Sequence, residues 1–195
     1  MMAEGSHSPI TADHSCVILD ACCLMNLYAS RHMAEIVATI TEKIAVATYV
    51  KNEEALFVYQ ASKQDQPAKT EAVDIDSLVE AGLIRLVELE AEIEKGYFAA
   101  LTARRLDDGE AITAAMAINR HWALATDDRR ARSILGQEAP QIALISTPQL
   151  VKHWADSHHP EPAQVNQAMR DIERRANFLV GKRDPLYNWW HEDRL

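Results

Sequence analysis

The chain has 195 residues, 48% hydrophobic and 25% charged, with a formal net charge of −9. That length accommodates one compact domain with a short appendage, and the composition excludes a disordered, collagen-like or linker-like chain. The apolar runs are too short to span a membrane. The acidic balance argues against a broad basic face for sequence-independent duplex binding. It does not argue against a nuclease, whose metal site is itself made of carboxylates.

Residues 1–15 are polar and lack the apolar core of a signal peptide, so a flexible tail on a cytoplasmic protein is expected. Three cysteines, Cys16, Cys22 and Cys23, fall in one short apolar stretch, a pattern of buried free thiols in a reducing compartment rather than a disulfide framework. Cys16 to Leu19 reads as a buried strand ending at Asp20, because an exposed strand would alternate polar and apolar residues. A helix follows with Leu24, Leu27 and Tyr28 on one face. A second strand, Ile44 to Thr48, leads into Val50–Leu56, which reads as a helix start. Residues 61–73 are polar with one proline and read as a surface loop.

Asp76 is expected to cap a short helix stopped at Gly82, before a strand over 83–89. Glu90 to Arg105 reads as a helix with an acidic first turn and a basic last turn, which suits the helix dipole. Asp107 opens the next helix, running to about Trp122. Then come a strand over 123–126, a short helix over 127–135, a strand over 142–145, and a helix started by Thr147-Pro148. Strand–helix alternation over 16–157 predicts an α/β domain, a three-layer α/β/α sandwich with a central parallel sheet. Residues 158–195 are expected to add an amphipathic helix and an aromatic tail that packs back on the domain or meets a partner.

The acidic residues fall in a pattern. Asp20 follows the first strand, Glu53 and Glu54 the second, and Asp127 and Asp128 the strand over 123–126. In a parallel sheet these positions share the carboxyl edge, where open α/β folds bind ligands. Glu110 joins them because its helix runs antiparallel to the next strand, placing its first turn at the same edge. Like charges so close raise one another's pKa unless a cation sits among them, and hard oxygen ligands suit Mg²⁺ or Mn²⁺. The chemistry of such a site is phosphodiester or phosphoryl hydrolysis. Each residue also has a plain structural reading. Asp107 to Glu110 forms a capping box, Asp127 caps a helix, and Glu53 and Glu54 suit a helix dipole. Asp20 is the hardest to dismiss, since a carboxylate ending a buried apolar strand loses solvation unless something binds it.

Four ordered pieces carry a resemblance: Val17-Ile18-Leu19-Asp20-Ala21-Cys22, Val50-Lys51-Asn52-Glu53-Glu54-Ala55, Leu106-Asp107-Asp108-Gly109-Glu110-Ala111 and Leu124-Ala125-Thr126-Asp127-Asp128-Arg129. Over residues 16 to about 151 the chain resembles PIN domains, metal-dependent nucleases found among prokaryotic toxins and RNA-processing enzymes. The resemblance implies an endoribonuclease using Mg²⁺ or Mn²⁺, with Asp20 and Glu110 as ligands and Asp127 or Asp128 as the last carboxylate. Glu53 or Glu54 would complete the shell or orient the attacking water. It also implies an RNA substrate, an antitoxin or other inhibitory protein, and a homodimer. Where the family often has Ser, Thr or Asn two residues after the first Asp, this chain has Cys22, and Asn26 is expected to compensate in part.

Arg129 and Arg130, with Arg132, flank the acidic pair and are candidates for holding substrate phosphates, against a solvated helix face. His158-His159 lacks zinc-ligand spacing and reads as a solvated loop. Cys22 and Cys23 have no histidine partner in sequence that would make a thiol nucleophile, and no phosphate-cradling Gly-rich loop follows any strand. Two rival functions are a PIN-like scaffold without activity and another metal-dependent phosphoryl hydrolase. An aspartyl-phosphate phosphatase would want a second Asp where Cys22 stands.

Overall fold

Five short strands, all paired in parallel, make the centre of the molecule, seen here in a computed structural model that describes residues 14–60 and 69–192. They are β1 (Cys16–Leu19), β2 (Lys43–Ala47), β5 (Ile84–Val87), β6 (Ala123–Ala125) and β7 (Leu144–Ile145), in the order β5-β2-β1-β6-β7. Every residue of β1 and β6 is buried, which is why these strands read as apolar runs rather than alternating ones. Register places Leu19 beside Val46 and Ala125, so β1, β2 and β6 end level with one another.

Helices cover both faces. On one side α5 (Asp108–Arg120) lies against β1, β2 and β6, with α4 (Glu92–Ala103) packed on it. Ala111, Ala114, Ala115 and Ala117 are fully buried there, and their small side chains let the helix approach the sheet closely. The other side carries α1 (Ala21–Ala29), α2 (Met33–Ala38), α7 (Thr147–His158) and α8 (Pro162–Arg175), which pack on one another. Two further helices flank the sheet edges, α3 (Asp76–Glu80) before β5 and α6 (Arg129–Glu138) after β6. A short α9 (Tyr187–His191) puts Trp190 fully into the core.

Residues after 157 share this core: Ala168, Met169 and Ile172 of α8 are buried in it. Arg175 holds α8 down, with its guanidinium donating to Ala29 O (2.6 Å), Tyr59 O (3.2 Å) and Glu71 Oε2 (2.7 Å).

Three expectations are corrected. Asp76 does not cap α3 but is its first residue, after Ile75, and its amide donates to Asp74 Oδ1 at 2.9 Å. The stretch 61–73, expected to be a loop, contains a strand, β4 (Thr70–Ala72), which pairs antiparallel with β3 (Phe57–Tyr59); residues 61–68 lie outside the described set. Neither strand announces itself, since β3 buries only Val58 and β4 is Thr-Glu-Ala. Val50–Glu54 is a wide single turn closed by Ala55 N–H to Val50 O (2.9 Å), not the start of a longer helix. The expected N-terminal tail over 1–15 falls almost wholly outside the described residues.

Candidate metal centre at the carboxyl edge of the sheet

Asp20 stands at the end of the central strand. Its amide donates to Ala125 O (3.0 Å), which continues the ladder, and its side chain caps α1 by accepting from Cys23 N (3.2 Å). Cys22 Sγ donates to the same Oδ1 at 2.8 Å. The residue is only 4% exposed, and burial pushes its carboxyl above the ordinary aspartate value, with the nearby Asp127 charge adding to the rise.

Asp127 follows β6 and is the most heavily hydrogen-bonded carboxylate at this edge. Oδ2 accepts from Asn26 Nδ2 (2.9 Å), Cys23 Sγ (3.3 Å) and the Thr147 hydroxyl, and Oδ1 accepts from Thr147 N (2.9 Å). Burial nonetheless raises its pKa. Asp128 is the residue that caps α6, accepting from Ala131 N at 2.7 Å, so the cap expected at Asp127 belongs one residue later. Asn26, expected to support the first aspartate, serves Asp127 instead, together with Thr147 (3.1 Å).

Glu110 lies in the first turn of α5. The capping box forms, with Asp107 Oδ1 accepting from Glu110 N (3.0 Å) and Glu110 Oε2 accepting from Asp107 N (3.3 Å). Yet its carboxyl is pushed up to about 7, by burial first and then by the charges of Asp107, Asp128 and Asp20. Glu54 sits at the same edge: its Oε1 accepts from Gly109 N at 2.9 Å, and burial with the Asp107 charge raises its pKa. Glu53 is exposed on the same turn, which separates the two glutamates.

Gly109 belongs to the site although no motif singles it out. A Cβ there would collide with the Glu54 carboxylate, so only glycine lets this side chain reach the first turn of α5. A glycine inside a helix costs up to about 1 kcal/mol relative to alanine, and that unexplained cost is the signal the sequence offers. Thr126 and Thr147 likewise carry no signal of their own. Thr126 Oγ1 accepts from Asp128 N (3.2 Å), and Thr147, which starts α7, donates twice to Asp127.

Among the described residues, none of these carboxylates has a lysine or arginine within 4.0 Å; the ion pairs lie elsewhere. Arg132 is near but occupied, donating to Thr126 O (2.9 Å), Ile145 O (3.1 Å) and Leu144 O (3.4 Å). Arg130 reaches Arg104 O at 3.4 Å from an exposed position, and Arg129 is exposed at the start of α6.

The closest set of three ligand-type atoms among the described residues, all within 4.8 Å, comes from Asp20, Cys22 and Cys23. Glu110, Asp127 and Asp128 are not drawn into such a set. Burial pushes the Cys23 thiol well above its ordinary value, so it acts as a neutral donor to Asp127 rather than a nucleophile. No known protein family matches the chain in a family scan, and no curated protein matches it either. No described helix is long and apolar enough to cross a membrane.

Proposed function

We propose that the chain is a divalent-metal-dependent endoribonuclease of PIN type. One observation carries this: a buried Asp20 ends the central strand among Asp127, Glu110 and Glu54, all with raised pKa and none with a lysine or arginine within 4.0 Å among the described residues. A buried acid left in this state favours either a proton or an external cation. Asp20 and Glu110 would hold Mg²⁺ or Mn²⁺, with Asp128, whose charge acts on Glu110, as the third carboxylate. Asp127 is assigned a positioning role, because four donors already engage its oxygens. When bound, the cation supplies Lewis-acid polarisation of the phosphodiester and a water of lowered pKa. Glu54, fixed on Gly109 N, is the carboxylate available to accept a proton from that water.

The preference for RNA, an inhibitory partner protein and a cytoplasmic setting come from the resemblance and from the three free thiols. The experiment is cleavage of a mixed-sequence single-stranded RNA by the full chain with Mg²⁺ or Mn²⁺, beside EDTA, Asp20→Asn, Asp127→Asn and Asp128→Asn. Cleavage should need metal and vanish in Asp20→Asn. Asp128→Asn should weaken metal dependence more than Asp127→Asn. Equal inactivity of wild type and Asp20→Asn, with no metal-induced rise in melting temperature, would overturn the reading in favour of a scaffold.

A further inference from the structure

A cleft of about 690 Å³ opens directly beside the carboxylate edge, lined on one side by Asp127, Arg129 and Ser146 and on the other by residues 178–185. It falls within the range of about 300–1,000 Å³ common for ligand sites. The wall over 178–185 is built by the part of the chain beyond α8, and it is fixed in place. Val180 is buried, Phe178 packs edge-on against Trp190 with ring centres 6.1 Å apart, and Asp184 N donates to Gly181 O at 2.8 Å. The Asp184 carboxylate is turned to its own backbone, accepting from Leu186 N at 2.8 Å. Gly181 lets the Arg129 guanidinium lie against this wall, in the space a Cβ would fill.

The charge of the cleft opposes that of the molecule. The chain carries −9 overall, yet Arg129, Lys182 and Arg183 converge on this cleft, and among the described residues none of them has a carboxylate within 4.0 Å. Leu179, 73% exposed, and Phe178 add apolar surface to the same wall. Unpaired cations beside apolar side chains match a strand that shows phosphates on one side and base faces on the other. A duplex would need a wider basic face than this one cleft offers.

We propose that residues 178–185 form the wall of a groove for single-stranded nucleic acid, with Arg129, Lys182 and Arg183 holding backbone phosphates next to the carboxylate edge. This rests on the nuclease reading above for its direction but not for its test.

The test is fluorescence anisotropy of a labelled 12-nucleotide single-stranded RNA with the full chain in EDTA, where binding is measured without cleavage. The double variant Lys182→Glu/Arg183→Glu should raise Kd at least tenfold at 50 mM salt. It should also lower the salt slope by about 1.4, since each phosphate contact on a single strand contributes about 0.7. A control double variant, Lys43→Glu/Lys95→Glu, changes net charge equally at exposed positions outside the cleft. It should leave Kd within about twofold, and both doubles should melt like wild type.

Equal losses in the two doubles, unchanged binding in the cleft double, or no binding by wild type would each overturn the groove. If the cleft double alone loses binding while wild type shows no metal-dependent cleavage, the groove stands and the nuclease reading falls. If wild type cleaves with metal while the cleft double keeps its binding and KM, the nuclease reading stands and the groove falls.

Discussion

Two of the places where the described residues take carboxylates out of water end with opposite proton affinities. Glu94 on α4 is 1% exposed and accepts from Arg120 Nε (2.6 Å) and Nη2 (3.0 Å), from Asn119 (3.2 Å) and from the amides of Glu90 (3.1 Å) and Ala91 (3.3 Å). Burial pushes its pKa up, but the Arg120 and Asn119 hydrogen bonds outweigh it and leave the carboxyl below its ordinary value. Asp20 is buried and Asp127 and Glu110 are half-buried, yet their donors are thiols, hydroxyls and amides, and their pKa values rise. The difference is where the compensating positive charge comes from. At Glu94 Arg120 supplies it; among the described residues no lysine or arginine lies within 4.0 Å of the carboxylates at the sheet edge.

The largest effect should come from breaking the internally compensated side. Arg120→Ala strands Glu94 in the interior, and removing one partner of a buried pair costs about 3–5 kcal/mol. For a chain of this size that corresponds to a melting temperature lower by about 10 °C. Calorimetry that found a cost below about 1 kcal/mol would erase the contrast between the two regions. Glu110→Gln, by comparison, strands nothing, and above pH 7 it should melt higher than wild type.

The pH dependence sharpens the same contrast. The Glu110 pKa in the fold, about 7, lies above its ordinary 4.5, so folding favours the protonated form. Its stabilising contribution is complete below about 4.5 and is lost as pH rises through about 7. Glu94 has the opposite sign: its contribution is present above the ordinary carboxylate range and is lost as pH falls through its depressed value. Melting curves between pH 5 and 8 should therefore show wild type falling relative to Glu110→Gln. Millimolar Mg²⁺ or Mn²⁺ at pH 8 should restore wild type selectively, since a ligand at about ten to a hundred times its Kd adds about 1.4–2.7 kcal/mol. Parallel curves with no metal response would remove the need for an external cation.

Gly109→Ala separates stability from site geometry. The added Cβ displaces the Glu54 carboxylate and breaks its bond to Gly109 N, a loss of about 1 kcal/mol. Alanine in place of glycine in a helix returns up to about 1 kcal/mol. Melting temperature should therefore move by only a few degrees, while metal-dependent cleavage falls at least tenfold if Glu54 takes the proton. Unchanged cleavage would assign Glu54 to holding α5 in place.

The parallel sheet is legible in the sequence because β1, β2 and β6 are short buried runs, each closed by an acidic or helix-starting residue. The convergence of Asp20, Glu110 and the pair at 127 and 128 is legible for a topological reason: strand ends and the starts of returning helices share one edge. What local sequence does not carry is which member of each acidic pair turns inward. Asp127 and Asp128 differ only in what meets them, Asn26 and Thr147 from about 100 and 20 residues away against the amide of Ala131. Glu54 is distinguished from Glu53 by a glycine 55 residues on. The hairpin of β3 and β4 escapes a sequence reading because its stability comes from packing on α1 and from Arg175, not from its own pattern.

Cys22 gives the smallest effect and the finest check on the uncompensated side. Its Sγ donates to Asp20 Oδ1 (2.8 Å) and accepts from Asp127 N (3.2 Å), linking the ends of β1 and β6 through one atom. A hydroxyl can make both bonds, so Cys22→Ser keeps the link with a shorter, more polar bridge. Stability should change by less than about 0.5 kcal/mol, within the range of a mild substitution. Metal affinity, followed as the metal-induced rise in melting temperature, should hold or increase, because a hydroxyl donates more strongly to a carboxylate than a thiol does. Cys22→Ala removes donor and acceptor together and leaves the Asp127 amide unpaired, at about 1–3 kcal/mol. If serine and alanine behaved alike, the sulfur would be a packing atom, and the pairing of Asp20 with Asp127 would depend on the backbone alone.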